Sequence, residues 1–185
     1  MQQTKKLIAA ALCAALCVVL PIAFHAIPNA GSIFLPMHIP VLLCGFLCGW
    51  PYGLACGLLG PCLSSLITSM PPAAILPSMA CELAVYGLVT GLLSRRVKTG
   101  RRTADIYISL ITAMLCGRVL SGVLNALIFR AGAYSLELWL AASFTTALPG
   151  IVIQLVLIPM ILTALARSGL AARFEGKSRL PEGQE

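Results

Sequence analysis

Apolar residues in this chain fall into six runs, each ended by proline, glycine or a group of charges. The windows cover about 7–27, 38–50, 52–68, 74–93, 106–129 and 140–165. Five are long enough to read as membrane-spanning helices. The second, in "LPMHIPVLLCGFLCGWPYG" (residues 35–53), is not. A helix from Ile39 to Trp50 rises about 18 Å at 1.5 Å per residue, well short of a hydrocarbon core of ~30 Å. The pattern predicts an all-α membrane bundle of six helices in a single domain over 1–185. Its second helix is short, and a basic tail over 166–185 is expected to be flexible.

Composition supports the membrane reading. Hydrophobic residues make up 59%, charged residues 10%, and the mean hydropathy is +0.95. A water-soluble domain carries about 25% charged residues, so this chain has too few to cover a wetted surface.

The net charge of +7 takes its meaning from where the charges lie. Lys5 and Lys6 precede the first run. Arg95, Arg96, Lys98, Arg101 and Arg102 fill the loop between the fourth and fifth, and Arg167, Arg173, Lys177 and Arg179 follow the sixth. With six crossings these groups share one face, and they hold eleven of the thirteen Lys and Arg. Positive-inside bias makes that face cytoplasmic and places both termini there. The basic residues then report topology and contact with anionic membrane lipids, not nucleic-acid binding. The first run has signal-peptide features, with a basic start and small residues at Ala26, Ala30 and Gly31. Five further spans favour retention as a first span.

Eight cysteines, at 13, 17, 44, 48, 56, 62, 81 and 116, lie in or beside the apolar runs without a CxxC pair. With two histidines in the chain, they read as small packing residues, not a metal centre. There is no GxxxxGK[ST], HExxH or GxSxG. His25 and His38 lack acid and nucleophile partners in sequence, so no enzymatic centre or cofactor site is expected.

Polar residues inside spans are costly and mark function by default. Glu82 lies in "ACELAVYGLVTG" with Tyr86 one turn on. In "CGRVLSGVLNALIFR", Arg118, Ser121 and Asn125 share a helical face, and Gln154 sits mid-run in "PGIVIQLVLIP". Topology puts Glu82 and Asn125 in the outer half, and Arg118 and Gln154 near the middle. These residues form either a polar cavity for a ligand or a Glu82–Arg118 ion pair that locks helices together. The short second helix fits the cavity. Irregular backbone at membrane depth is tolerated where it is buried or lines a cavity. "PNAGSIFLPM" is therefore expected to enter from outside as a capping loop, with Pro36 and Pro40 keeping regular helix from forming through His38. His38 then either bonds the ligand or caps the helix. On the first span, "LIAAALCAAL" spaces Ala10 and Ala14, and Ala11 and Ala15, for close helix approach.

Taken together, the six spans, the Ala-xxx-Ala face, "LPMHIPVLLCGFLCGWPYG", "SSLITSMPP", "ELAVYGLVTGLL" and the Gly117-Arg118 pair resemble the substrate-binding S component of an energy-coupling factor (ECF) transporter, over about residues 5–167. The resemblance implies a binder of a vitamin or similar micronutrient in a prokaryotic cell membrane. It implies as partners a transmembrane T subunit and two ABC-type ATPases, which use ATP in place of any cofactor on this chain. It also implies an S component that topples in the membrane to carry its site inward, with Ala10, Ala11, Ala14 and Ala15 as the T-subunit contact. A self-contained secondary transporter or channel, and an integral membrane enzyme, are the competing classes.

The six candidate ligand residues are then Glu82, Arg118, Asn125, His38, Tyr86 and Gln154. Aromatics are only 6%, and Trp50 and Trp139 read as interfacial anchors, which argues against a stacked flavin or thiamin. A buried Arg118 favours a carboxylate, so a pantothenate-like acid leads. Glu82 reading the donor edge of a heterocyclic precursor, such as a pyrimidine or deazapurine, comes next.

Overall fold

The computed structural model describes residues 2–23, 30–129 and 134–169. Among the described residues the chain is helical, without strands: α1 (Gln2–Ala23), α2 (Ala30–Phe34), α3 (His38–Cys48), α4 (Trp50–Thr68), α5 (Leu76–Arg96), α6 (Arg102–Leu124), α7 (Leu136–Leu140) and α8 (Leu148–Arg167). Two π-helical stretches, Asn125–Phe129 and Ala141–Thr146, extend α6 and α7. Six stretches are long and apolar enough to cross a membrane: Gln2–Ala23, Gly31–Cys48, Trp50–Thr68, Leu76–Arg96, Arg102–Phe129 and Leu148–Arg167. His25, the end of the first run at 24–27 and the tail from 170 on lie outside the described residues.

The second crossing is made in two pieces. The expected capping loop is not irregular throughout, because residues Ala30–Phe34 form α2. The break falls at Leu35, whose φ of 51° is left-handed, and at Pro36, which disfavours helix in the residue before it. Helix resumes at His38, so Pro40 does not keep His38 out of regular structure. It lies in the first turn of α3, where a missing N–H leaves no bond unmade. The last run also divides. Pro149 opens α8 within its first two positions, so the preceding residues 141–146 turn as a separate π-helical stretch.

At the bundle's centre, α5 packs on α3, α4 and α6. Its approach to α4 is backbone on backbone: a Cβ on Gly87 would fall on the Gly53 carbonyl, and one on Gly57 would meet Leu83. Such small-residue faces let helices pack closely where hydrophobic burial gives no drive. Five cysteines (Cys13, Cys17, Cys44, Cys48 and Cys56) are buried in the core among Val41, Leu42, Leu83 and Leu110. The Cys17 thiol donates to the Met37 carbonyl at 3.7 Å. All eight thiols are free, and no metal-holding group of three or more ligand side chains occurs among the described residues. Leu7, Ile8, Leu12, Leu66, Ile67, Val156 and Met160 point outward, as a lipid-facing surface requires. At the basic end, Arg95 Nη2 donates to the Cys48 carbonyl at 3.3 Å and so closes the C-terminus of α3.

Candidate functional site

Three helices bring four of the six candidate residues together. Glu82 stands six residues inside α5 from Leu76, and Arg118 six residues before the end of α6 at Leu124. At 1.5 Å per residue Glu82 lies about 9 Å from the end of α5, on the side away from the basic loop. The crossing that carries Arg118 continues through the π-helical stretch to Phe129, so Arg118 stands near its middle, and the close approach of Gly117 to Tyr86 and the Glu82 carbonyl brings it beside Glu82. His38 joins them from the first turn of α3.

Glu82 Oε1 is the hub. The Tyr86 hydroxyl donates to it at 2.9 Å, Arg118 Nε stands 3.4 Å away and His38 Nε2 3.8 Å away. Tyr86 reaches it because i and i+4 share a helix face. Its backbone is fixed in turn by Thr90, whose hydroxyl donates to the Tyr86 carbonyl at 2.7 Å. The His38 ring meets the Tyr86 ring edge to face, with centroids 5.2 Å apart. His38, Tyr86 and Arg118 are all buried, and the Glu82 side chain is 12% exposed. His38 is therefore a member of this cluster and not a helix cap: Met37 precedes α3 and makes no side-chain cap bond.

The cluster is incompletely paired. Charge-assisted N–H to carboxylate bonds run to about 2.7–2.9 Å, and Arg favours two parallel ones. Arg118 instead presents one nitrogen at 3.4 Å, and its Nε and Nη2, like His38 Nδ1, have no hydrogen-bond partner among the described residues. The arrangement offers a buried cation, a tyrosyl-supported carboxylate and an imidazole edge, the equipment for binding a small polar molecule.

No hydrogen bond joins the other two candidates to the hub among the described residues. Asn125 turns back along its own helix, its Nδ2 donating to the Ser121 carbonyl at 2.8 Å. Gln154 is fully buried on α8, with neither amide atom bonded among the described residues. Trp139, expected as an interfacial anchor, also touches the helix that carries Arg118. Its indole N–H donates to the Arg118 carbonyl at 3.1 Å, and its ring fills the space left by Gly122. Gly122, one turn after Arg118 on the same face, was the signal available. Beside this contact, an apolar groove of about 280 Å³ is lined by Val119, Val123, Ala126, Leu136 and Trp139; none of the four clustered polar residues lines it.

The alanine face of α1 divides in two. Ala10 and Ala14 pack against the core of their own bundle, whereas Ala11 and Ala15 are exposed. α1 is also the least buried of the six candidate spans, at 11% of its most apolar window.

Comparisons with curated proteins and with solved structures give no match. The family described as "ECF transporter, substrate-specific component" matches residues 5–162, nearly the whole membrane region. Members of that family bind small molecules for a transport complex of T and ATPase subunits and are not enzymes. With six candidate spans and a buried polar cluster, this chain belongs to the substrate-specific components of ECF transporters and is a multi-pass membrane subunit of that kind.

Proposed function

We propose that the chain captures a small anionic micronutrient, with a pantothenate-like acid as the leading class, at the cluster formed by Arg118, Glu82, Tyr86 and His38. The carrying observation is Arg118, buried yet with Nη2 lacking a hydrogen-bond partner among the described residues and Nε held only by the 3.4 Å ion pair to Glu82. A purely structural ion pair at this depth gains most by closing both forks on its carboxylate. Arg118 holds donors in reserve, which suits a substrate carboxylate better than a lock. A heterocyclic precursor read by Glu82 is the second reading, favoured by the Tyr86 hydroxyl and His38, which hold that carboxylate in place.

In this proposal the subunit lies in a prokaryotic cell membrane with both termini cytoplasmic. It works with a T subunit and two ABC ATPases, which supply the energy. Lys5, Lys6 and the basic loop at 95–102 support that orientation. The exposed Ala11 and Ala15 support α1 as the coupling face. Native mass spectrometry of protein purified from cells grown in rich medium tests the substrate. An acidic small molecule retained one to one is expected. A neutral retained ligand would overturn the anion reading, and turnover of the ligand would overturn the transport role.

A further inference from the structure

His38 faces the cluster with one ring nitrogen and leaves the other unused. Its Nε2 stands 3.8 Å from Glu82 Oε1, and its Nδ1 is buried without a hydrogen-bond partner among the described residues. An ionised carboxylate only accepts, so in the neutral ring the proton belongs on Nε2 and Nδ1 is a bare acceptor. The groups packed around the ring come from four helices. From α5, Glu82 accepts from the Tyr86 hydroxyl at 2.9 Å, and from α6, Arg118 Nε stands 3.4 Å from the same oxygen. From α1, the Cys17 thiol donates to the Met37 carbonyl at 3.7 Å, and the lysines of that helix lie in its first turns, at the basic end. α4 adds thiols and Tyr52 but no Asp, Glu, Lys, Arg or His, and α8, packed on α3, holds Arg167 only in its last turn. Glu82 and Arg118 therefore cancel, and the buried cluster is neutral when the imidazole is. A carboxylate bound beside Arg118 leaves the cluster with one uncompensated negative charge, which is costly away from water. A neutral imidazole cannot answer that charge, because its free nitrogen turns a lone pair to the anion.

We infer that His38 is a proton-linked binding residue: resting on the anion reading proposed above, capture of the substrate carboxylate draws one proton from solvent onto His38 Nδ1. The new N–H is the only covalent change, and buffer or water supplies the proton. The imidazolium then donates from both nitrogens, Nε2 toward Glu82 and Nδ1 toward the anion, and the charges of the filled site sum to zero. Two cations answer two carboxylates. Because the filled site holds one more proton than the empty one, affinity rises as pH falls, until the empty site is protonated as well. An uncharged analogue brings no charge and draws no proton.

The test is calorimetric titration of the full chain in detergent with pantothenate and with panthenol, its uncharged alcohol counterpart, in buffers of different ionisation enthalpy. At about pH 7 pantothenate should bind with uptake of about one proton, seen as a heat that changes with the buffer. Its affinity should fall about tenfold for each further unit of pH. His38→Gln should bind pantothenate more weakly, without proton uptake and without that slope. Pantothenate binding with no proton uptake by the unaltered chain would overturn the inference and leave the anion reading standing. Uptake that persists in His38→Gln would overturn the assignment to His38. Panthenol binding as tightly as pantothenate would overturn the anion reading, and binding of neither would overturn both. Where His38→Gln does not fold, nitrogen NMR of isotope-labelled histidine in a His25→Gln chain reads the same ring, since the sequence holds only these two histidines. A neutral ring in the empty protein and an imidazolium with pantothenate are expected, and a ring that stays neutral would overturn the inference.

Discussion

The ring of Tyr86 lies across Gly117, in the space that any side chain at that position would need. The contact ties α5 to α6 where the binding cluster is built. It holds the Tyr86 hydroxyl on Glu82 and leaves Arg118, the next residue, beside the same carboxylate.

Substituting that glycine should therefore damage the site before it damages the bundle. Gly117→Ala forces the Tyr86 ring aside, and overpacking of this kind costs roughly 1–3 kcal/mol. Gly117→Ala with Tyr86→Leu should recover most of the stability, because the clash is with the ring, yet should not recover ligand affinity. Thermal unfolding in detergent, paired with ligand titration, reads both. A Gly117→Ala chain as stable and as tightly binding as the original would show that the contact does not organise the site.

The α4–α5 seam gives a second expectation. Gly87→Leu places a branched side chain where the Gly53 carbonyl lies, and backbone cannot give way as a side-chain tip can. The loss should exceed that of a lipid-facing change such as Leu66→Ala by about 2 kcal/mol or more. Comparable melting temperatures for the two variants would contradict the close approach.

These contacts show what was readable from the chain. Helix type and number followed from apolar runs stopped by Pro51, the proline pair at 71–72 and the arginines at 95–96, because hydropathy and chain length constrain membrane helices strongly. Glu82, Tyr86 and Arg118 were legible as partners because polar residues in apolar spans stand out. The place of Arg118 near the middle of its crossing was legible too, since the fifth run reaches Phe129, where the π-helical stretch ends; its standing beside Glu82 at one level was not. Asn125 looked like a ligand residue by periodicity but bonds to its own helix, an outcome that spacing does not reveal. The Gly53/Gly57 and Gly87/Gly91 spacings were in plain view. Spacing alone does not say which of several small-residue faces meet. The contact of Trp139 with α6 was not legible, because an indole near a span end serves at an interface, in a packed contact or in both.

On α1, the exposed and buried alanines separate coupling from folding. Ala11→Trp with Ala15→Trp should leave ligand affinity of the isolated subunit unchanged while ATP-driven uptake by the assembled transporter falls at least about tenfold, because bulk blocks close helix approach. Ala10→Trp with Ala14→Trp should instead lower the melting temperature, since those residues pack on their own bundle. Equal loss of binding and uptake from the Ala11/Ala15 pair would assign that face to internal packing.

Orientation is read by labelling. In a background with native thiols replaced, a cysteine substituted for Ser32 or Glu137 should react with an impermeant thiol reagent in whole cells, and one substituted for Thr99 should not. Thr99 lies in the basic loop, where its backbone N–H and hydroxyl both donate to Asp105. Labelling of the Thr99 site from outside would reverse the assigned sides.

The most direct measurement of the central claim, that Arg118 serves a ligand and not only Glu82, is the ligand affinity of a double variant. Arg118→Met alone should destabilise by about 3–5 kcal/mol by leaving the Glu82 charge buried and unpaired, and adding Glu82→Gln should restore much of the fold. Affinity for the retained acidic ligand, measured by titration on this refolded background, should stay at least about tenfold below that of the unaltered chain, the scale of a lost charged hydrogen bond. Full affinity in the double variant would contradict the account and reduce the Arg118–Glu82 pair to a structural lock.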